Sequence, residues 1–248
     1  MSTEPKPLLL LQVGTPPDEI RMREGDLSDW FRAALNIPLE ALKVIRVFEG
    51  EALPEPCAHQ PAIITGSWAM VTDRLGWSET TAEWIRQAML IDQPLFGVCY
   101  GHQLMAHALG GRVGYHPGGL ELGCLPVRLE ITGAKDALVG TMPSQFLAHL
   151  THMQSVLAPP PQTVVLARSE HDQHQILRYG PNAISTQFHP EFTRSILAAC
   201  VDTRTDFLRS RGCTPEALKT NACDTPQPRE LLQRFVRTYL HPELLEKV

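Results

Sequence analysis

The sequence lacks the features that mark membrane, secreted and nucleic-acid-binding proteins. No apolar run approaches the roughly 18 residues needed to span a bilayer, and residues 1–6 lack the basic-then-apolar order of a secretion signal. The net charge of -5 argues against nucleic acid and anionic membranes, because both need a basic face. We therefore expect a cytoplasmic protein without a nucleic-acid or membrane partner.

Motifs for metals and nucleotides are also scarce. The six cysteines form no Cys-x-x-Cys pair, which favours free thiols over a disulfide framework. His149-x-x-His152 and His171-x-x-His174 stand apart from any wider metal-ligand pattern, and no Gly-x-x-x-x-Gly-Lys phosphate loop occurs. We expect neither a metal nor a cofactor.

The first half of the chain has an alternating α/β pattern. Its 248 residues suit one large domain, or one domain with an extension. A helical pattern follows Thr80-x-x-Glu83, which resembles a capping box. Other helical patterns separate short apolar runs at 8–13, 42–48, 62–65 and 95–98. This order predicts a doubly wound, mostly parallel sheet in a flavodoxin-like three-layer α/β/α fold.

The pattern changes after Gly111. We predict a main domain over residues 1–192 and a C-terminal helical extension over 193–248 packed on the same domain. The amphipathic face of the extension either covers the flank of the sheet or forms a homodimer contact. A small antiparallel patch is predicted from strands at 120–129, 163–167, 175–179 and 183–187, followed by helices at 193–211 and 229–240 and, between these, a surface connection at 212–228.

A nucleophile elbow is predicted where the run 95–98 meets the next helix. Gly97-Val98-Cys99-Tyr100-Gly101 has the Gly-x-Cys-x-Gly form of a sharp strand-to-helix turn. Glycine flanks such a turn because a Cβ atom would crowd the strained backbone. The helix N-terminus favours a thiolate at Cys99. A lone cysteine is usually an inert buried side chain, but this context predicts a nucleophile.

A candidate base lies 90 positions further on, in His189-Pro190-Glu191. Residues two apart in extended chain point the same way, so Glu191 can accept a hydrogen bond from His189. Taken alone, this tripeptide is most often a loop. The order Cys, His, acid differs from that of the serine α/β-hydrolases, which argues against an ordinary esterase. Together the two motifs predict an enzyme with a Cys-His-Glu triad, and the family resemblance described next implies that it is an amidohydrolase.

The two motifs together resemble a class I glutamine amidotransferase domain, of the kind that supplies ammonia in GMP synthase, over about residues 8–192. The resemblance implies that Cys99 is the nucleophile, His189 the base and Glu191 its orienting group. Gln103 matches a glutamine-contacting position. The stretch from His152 through Met153 to Gln154 resembles a border of the glutamine pocket, although it is equally compatible with a plain loop.

The resemblance also implies an oxyanion hole. Ile63 to Ser67 matches the oxyanion strand and loop, with Gly66 beside the substrate. In this chain Ser67 and Trp68 stand where the family commonly has Gly and Pro. The backbone N–H of Ser67 can still donate, and the Tyr100 N–H is the second predicted donor. Trp68 is either a packing residue or a pocket wall.

The predicted function is hydrolysis of the glutamine side-chain amide through a Cys99 thioester, with release of ammonia and glutamate. No Ser-Gly-Gly-x-Asp-Ser nucleotide loop occurs in this sequence. The ammonia acceptor would then be a separate synthase subunit. Two alternatives stay open: a γ-glutamyl peptidase acting on glutathione-like compounds, and a catalytically silent binding or regulatory module on the same scaffold.

Overall fold

A computed structural model describes residues 5–245, in which a nine-stranded sheet is flanked by helices. The strands are β1 (Leu8–Gln12), β2 (Leu42–Arg46), β3 (Ala62–Ile64), β4 (Leu95–Val98), β5 (Arg112–Tyr115), β6 (Glu121–Leu129), β7 (Gln145–His152), β8 (Gln154–Ala158), β9 (Val164–Arg168), β10 (Ile176–Arg178) and β11 (Ala183–Thr186). The sheet order is β2-β1-β3-β4-β11-β10-β9-β6-β7, and β5 pairs with β8 in a separate ribbon.

The helices cover both faces of the sheet. They are α1 (Asp18–Glu24), α2 (Leu27–Leu35), α3 (Gly76–Leu90), α4 (Tyr100–Ala108), α5 (Arg194–Asp202), α6 (Thr205–Ser210), α7 (Pro215–Thr220) and α8 (Pro226–Tyr239). Strands β2, β1, β3, β4 and β11 are parallel. Strand β1 is apolar at four of its five positions and buried throughout, as expected for a strand covered on both faces. None of the helices in residues 5–245 is long and apolar enough to cross a membrane.

The predicted doubly wound, mostly parallel fold is confirmed. The four predicted strands of the antiparallel patch form as β6, β9, β10 and β11, with β10 and β11 paired antiparallel across residues 179–182. The patch is larger than predicted, because β7 extends it to the sheet edge. Strand β4 lies between β3 and β11, so its carboxyl end has a parallel neighbour on each side.

The predicted capping box at Thr80 is wrong. Helix α3 begins four residues earlier, at Gly76, and has no side-chain cap. The Thr80 hydroxyl donates to the Gly76 carbonyl 3.0 Å away inside the helix, and Glu83 pairs with Arg86 at 2.8 Å. Both side chains therefore make bonds that are normal on a helix surface, and neither marks its start.

The chain after residue 111 contains elements that periodicity missed. Strands β5, β7 and β8 were not predicted, and the predicted pocket border lies where two of them meet: His152 ends β7, Met153 is a bend and Gln154 begins β8. The predicted helix over 193–211 is divided at Thr203 and Arg204 into α5 and α6. The predicted surface connection contains α7.

The C-terminal helices pack on the same body as the sheet. The apolar side chains of α8, Leu231, Leu232, Phe235 and Val236, are buried in one cluster with β1 and β4 residues, and Phe96 meets Phe235 edge to face at 5.3 Å. Helix α8 also contacts α2 and β7. The amphipathic face therefore covers the flank of the sheet, while the boundary at residue 192 and the homodimer stay predictions.

Candidate active site

The predicted elbow is present as a sharp turn at the carboxyl end of β4. Cys99 has φ 51° and ψ -98°, a conformation that a non-glycine residue rarely adopts. Two parallel neighbours hold the turn: the Cys99 N–H donates to the Thr186 carbonyl at 2.8 Å, and the Gly101 N–H donates to the Thr65 carbonyl at 3.1 Å. The strained residue thus begins α4 with its side chain at the sheet edge.

The two flanking glycines are required by close backbone packing. A Cβ atom on Gly97 would lie 2.7 Å from the Gly101 carbonyl oxygen, and one on Gly101 would overlap the Ile64 carbonyl. Real Cβ atoms do not approach backbone this closely. The Gly-x-Cys-x-Gly pattern therefore reflects the tight packing of β3, β4 and α4 around the turn.

His189 and Glu191 form a buried pair. His189 Nδ1 lies 2.7 Å from Glu191 Oε1, and the Glu191 side chain is inaccessible to solvent. The His189 backbone N–H donates to the His149 carbonyl at 2.9 Å, which ties the pair to β7. The imidazole stacks on the Phe192 ring at a centroid distance of 3.9 Å. These contacts leave the ring little freedom to rotate.

The structure brings His189 to Cys99. A Cβ atom on Gly66 would lie 3.1 Å from His189 Cε1 and 3.6 Å from Cys99 Cβ, so this glycine backs onto both side chains. Burial alone would lower the pKa of His189, but the Glu191 carboxylate and the Cys99 sulfur outweigh it and raise the pKa to about 10. The site therefore favours a protonated imidazole beside the sulfur.

A pocket with about 420 Å³ of empty space opens at Cys99. Cys99 is only 6% exposed, and it is one of the residues that line this pocket. Solvent and substrate therefore reach it through the pocket. Trp68 lines the pocket and also packs edge-on against Trp30 at 6.4 Å, so both interpretations of this residue apply. The pocket is also lined by the predicted site residues Ser67, Tyr100, Gln103, His152, Met153 and Gln154.

Several of the predicted substrate contacts already have protein partners. Gln103 Nε2 donates to the Gln154 carbonyl at 2.6 Å and to Gln187 Oε1 at 3.0 Å. His152 Nε2 lies 2.7 Å from Glu121 Oε2, and Gln154 Nε2 donates to the Thr72 hydroxyl at 2.6 Å. These polar groups therefore hold the pocket walls together.

The side chains at the two predicted oxyanion positions are also engaged. The Tyr100 hydroxyl lies 2.7 Å from the Ser78 hydroxyl, and burial raises the pKa of Tyr100 to about 12. The Ser67 hydroxyl accepts from the Ala69 N–H at 3.1 Å. The Tyr100 hydroxyl is therefore paired with Ser78, whereas the Ser67 hydroxyl accepts one bond and keeps its own hydrogen. The backbone N–H groups of both residues remain the predicted oxyanion donors.

Sequence reasoning missed several residues at the site, and two of them bear on its chemistry. Phe192 supports the His189 ring, and its position directly after the His-Pro-Glu motif was the available signal. Arg204 lines the pocket from the C-terminal extension, and nothing in the local sequence indicated it. Within residues 5–245, no group of three or more His, Cys, Asp or Glu side chains is arranged to hold a metal ion.

Comparison with known proteins identifies the family. A sequence model described as glutamine amidotransferase class-I matches residues 55–198. A glutamine-hydrolyzing GMP synthase subunit of Ignicoccus hospitalis is 42% identical over 101 residues, 40% of this chain and 51% of that protein. Gamma-glutamyl peptidase 4 of Arabidopsis thaliana is 28% identical over 202 residues, 78% of this chain and 79% of that protein.

The fold agrees with solved structures. A glutamine amidotransferase from Thermotoga maritima superimposes with a TM-score of 0.71 at 20% identity, covering 94% of this chain and 97% of that one. The matches span a quarter to about half the length of the GMP synthase relatives. The resemblance inferred from the elbow and the His-Pro-Glu motif is confirmed, and the chain belongs to the class I glutamine amidotransferase family.

Proposed function

We propose that the protein hydrolyses the side-chain amide of glutamine, with Cys99, His189 and Glu191 as the catalytic residues. The observation that carries this proposal is the strained turn that holds Cys99 at a pocket beside the buried His189–Glu191 pair. Membership of the class I glutamine amidotransferase family supports the same reaction class. A silent binding module would have no need of a buried imidazole–carboxylate pair next to a thiol.

The proposed reaction has two steps. The Cys99 thiolate attacks the amide carbon, the Ser67 and Tyr100 N–H groups bind the resulting oxyanion, and His189 transfers its proton to the departing nitrogen, which leaves as ammonia. Neutral His189 then takes a proton from water, which attacks the thioester and releases glutamate and the thiolate. Glu191 keeps the imidazole oriented through its 2.7 Å hydrogen bond.

The pocket walls suggest how a γ-glutamyl group is held. Both Nε2 hydrogens of Gln103 are used within the protein, which leaves its Oε1 atom available to accept from a ligand. The absence of a side chain at Gly66 lets the His189 imidazole lie close to this loop and to Cys99, because a Cβ atom there would crowd the ring. We assign His152, Met153 and Gln154 to the opposite wall.

The ammonia released needs an acceptor. One relative is named as one of the subunits of a glutamine-hydrolyzing GMP synthase. By analogy with that name, we propose that the partner of this chain is a separate synthase subunit. Binding of such a partner would be detected as an increase in ammonia release when the two proteins are mixed.

A second candidate function is γ-glutamyl peptidase. A neighbouring cavity with about 850 Å³ of empty space shares Leu120 and Met153 with the pocket at Cys99. This space, lined further by Leu122, Leu208 and Leu218, would accommodate a group attached to the γ-amide nitrogen. A relative named as a γ-glutamyl peptidase also aligns over 78% of the chain.

A substrate screen on the purified protein tests both candidates. Ammonia from glutamine and amines from glutathione and γ-glutamyl dipeptides are measured for the wild type and for Cys99→Ala. We expect turnover of glutamine that Cys99→Ala abolishes. Cleavage of peptides without glutaminase activity, even with partner subunits present, favours the peptidase. Failure of a diazoketone analogue of glutamine to label Cys99 would support the silent module.

A further inference from the structure

Arg204 is a cation that the C-terminal extension brings to the pocket at Cys99. It lies between α5 and α6, beyond the residues 55–198 that match the family, and lines the pocket together with Trp68, Leu120 and Met153. It is half-buried. Arg204 is the one lysine or arginine among the described residues that line this pocket. A permanent positive charge therefore faces the space where a substrate would bind.

The guanidinium has no ionic partner in the described chain. Within residues 5–245 no carboxylate lies within 4.0 Å of Arg204, and the side chain donates only to the Cys200 carbonyl, at 3.2 Å from Nη1. Arg209, one turn further along α6, instead pairs with Glu216 at 2.8 Å on the surface. A half-buried guanidinium with most of its five donors unused is suited to an anionic ligand.

The charge of Arg204 reaches the region of Cys99. Cys200 lies between them in α5: burial raises the pKa of its thiol to about 12, Arg204 acts to lower it, and Glu191 and Cys99 act to raise it. The positive charge and the proposed catalytic groups thus act with opposite sign on one buried thiol. This arrangement places Arg204 close to the site but outside the triad.

We propose that Arg204 binds the α-carboxylate of the substrate. The inference rests on the proposed function, because a γ-glutamyl compound carries this carboxylate at the far end of the skeleton from the amide that Cys99 attacks. Both glutamine and γ-glutamyl peptides have this group, so either candidate function uses the same contact. Planar, bidentate recognition of a carboxylate is the geometry that a guanidinium favours.

The test compares glutamine with glutamine α-methyl ester, which lacks the negative charge. Ammonia release is measured for the wild type, Arg204→Gln, Arg204→Lys and the matched surface control Arg209→Gln, with Cys99→Ala as the blank. We expect Arg204→Gln to lower kcat/KM for glutamine by about 10- to 100-fold, mainly through KM. The ester should change by less than about 2-fold, Arg204→Lys should recover part of the loss, and Arg209→Gln should match the wild type.

Three results would overturn the assignment. These are an equal loss for both substrates, no loss for glutamine, and a loss seen only for peptides that carry a carboxylate on the departing amine. If the wild type releases no ammonia, the proposed function fails. The Arg204 contact is then tested separately, by covalent labelling of Cys99. A diazoketone analogue of glutamine should then label Cys99 more slowly in Arg204→Gln, while iodoacetamide labels both proteins equally. Equal labelling by the analogue, or none in the wild type, would refute the Arg204 contact.

Discussion

The two parts of the sheet contribute to the site in different ways. In the parallel part, β4 lies between β3 and β11, and backbone hydrogen bonds from both neighbours hold the strained Cys99 turn. In the antiparallel part, a buried polar network holds the pocket wall: Glu121 accepts from His152 at 2.7 Å, from Gln175 at 2.9 Å and from Ser169 at 2.6 Å. The parallel part thus holds its share of the site by backbone packing. The antiparallel part holds its share by side-chain hydrogen bonds between segments that are distant in the chain.

This difference separates chemistry from recognition. The proposed nucleophile, its flanking glycines and the His-Pro-Glu motif are short segments at the carboxyl ends of adjacent strands β4 and β11. The walls come from β7, β8, the loop after β3 and the extension. We therefore expect substitutions at the parallel edge to change kcat or stability, and substitutions in the walls to change mainly KM. Four predictions test this division.

The largest effect is expected for Cys99→Ala compared with Met153→Ala. Loss of the sulfur should lower kcat for glutamine by at least ~10⁴-fold, since no other group can form the thioester. Met153→Ala should raise KM by less than about 10-fold and leave kcat nearly unchanged, because Met153 only lines the pocket. Steady-state ammonia release measures both. A large loss of kcat in Met153→Ala would contradict the expectation that wall residues affect mainly KM.

The elbow glycines should be sensitive to a single methyl group. Gly101→Ala forces a Cβ atom into the Ile64 carbonyl and should lower the free energy of unfolding by about 3 kcal/mol or more. Gly76→Ala, at the start of α3, meets nothing within 4 Å and should stabilise the protein by up to about 1 kcal/mol. Urea unfolding compares them. A Gly101→Ala protein as stable as the wild type would show that the turn is loosely packed.

Glu191→Gln should shift the pH dependence of the site. Removal of the carboxylate lowers the pKa of His189 from about 10, so the alkaline limb of activity should move to lower pH and kcat should fall by roughly 10²-fold. Because the folded pKa exceeds the ordinary 6.5, this pair stabilises the fold fully below pH 6.5 and loses that contribution as pH rises towards 10.

The raised pKa of His189 predicts how the free energy of unfolding changes with pH. Unfolding free energy of the wild type should decline more between pH 6.5 and 10 than that of Glu191→Gln. Unfolding curves at several pH values, paired with a pH–rate profile, check both expectations. An alkaline limb that stays in place in the variant would show that Glu191 does not set the protonation of His189.

The smallest effect is expected for Ser67→Gly. The proposed oxyanion donor is the backbone N–H, which glycine keeps, while the Ser67 hydroxyl only accepts from Ala69. Activity should fall by less than about 5-fold, although removal of a true oxyanion donor typically costs ~10²- to 10³-fold. A loss of that larger size would identify the hydroxyl, rather than the backbone, as the donor.

Local patterns explain why the parallel part was predictable. Its strands are short apolar runs that alternate with helices, and Asp26 gives α2 a local capping signature. Strand β7, Gln145–His152, was missed because its apolar alternation is irregular, and its pairing with β6 and the bridge from His149 to His189 are contacts between distant segments. The break between α5 and α6 likewise had no signature in the local pattern.

The sequence alone determined the elbow and the proposed catalytic positions, because a tight turn needs glycine at fixed offsets and His-Pro-Glu places its acid two residues from the histidine. Only the tertiary structure decided that Gly66 backs onto both Cys99 and His189, and that Phe192 supports the imidazole. It also decided that an arginine from the extension faces the same pocket. Those contacts join segments far apart in the chain, and packing rather than local pattern determines which segments meet.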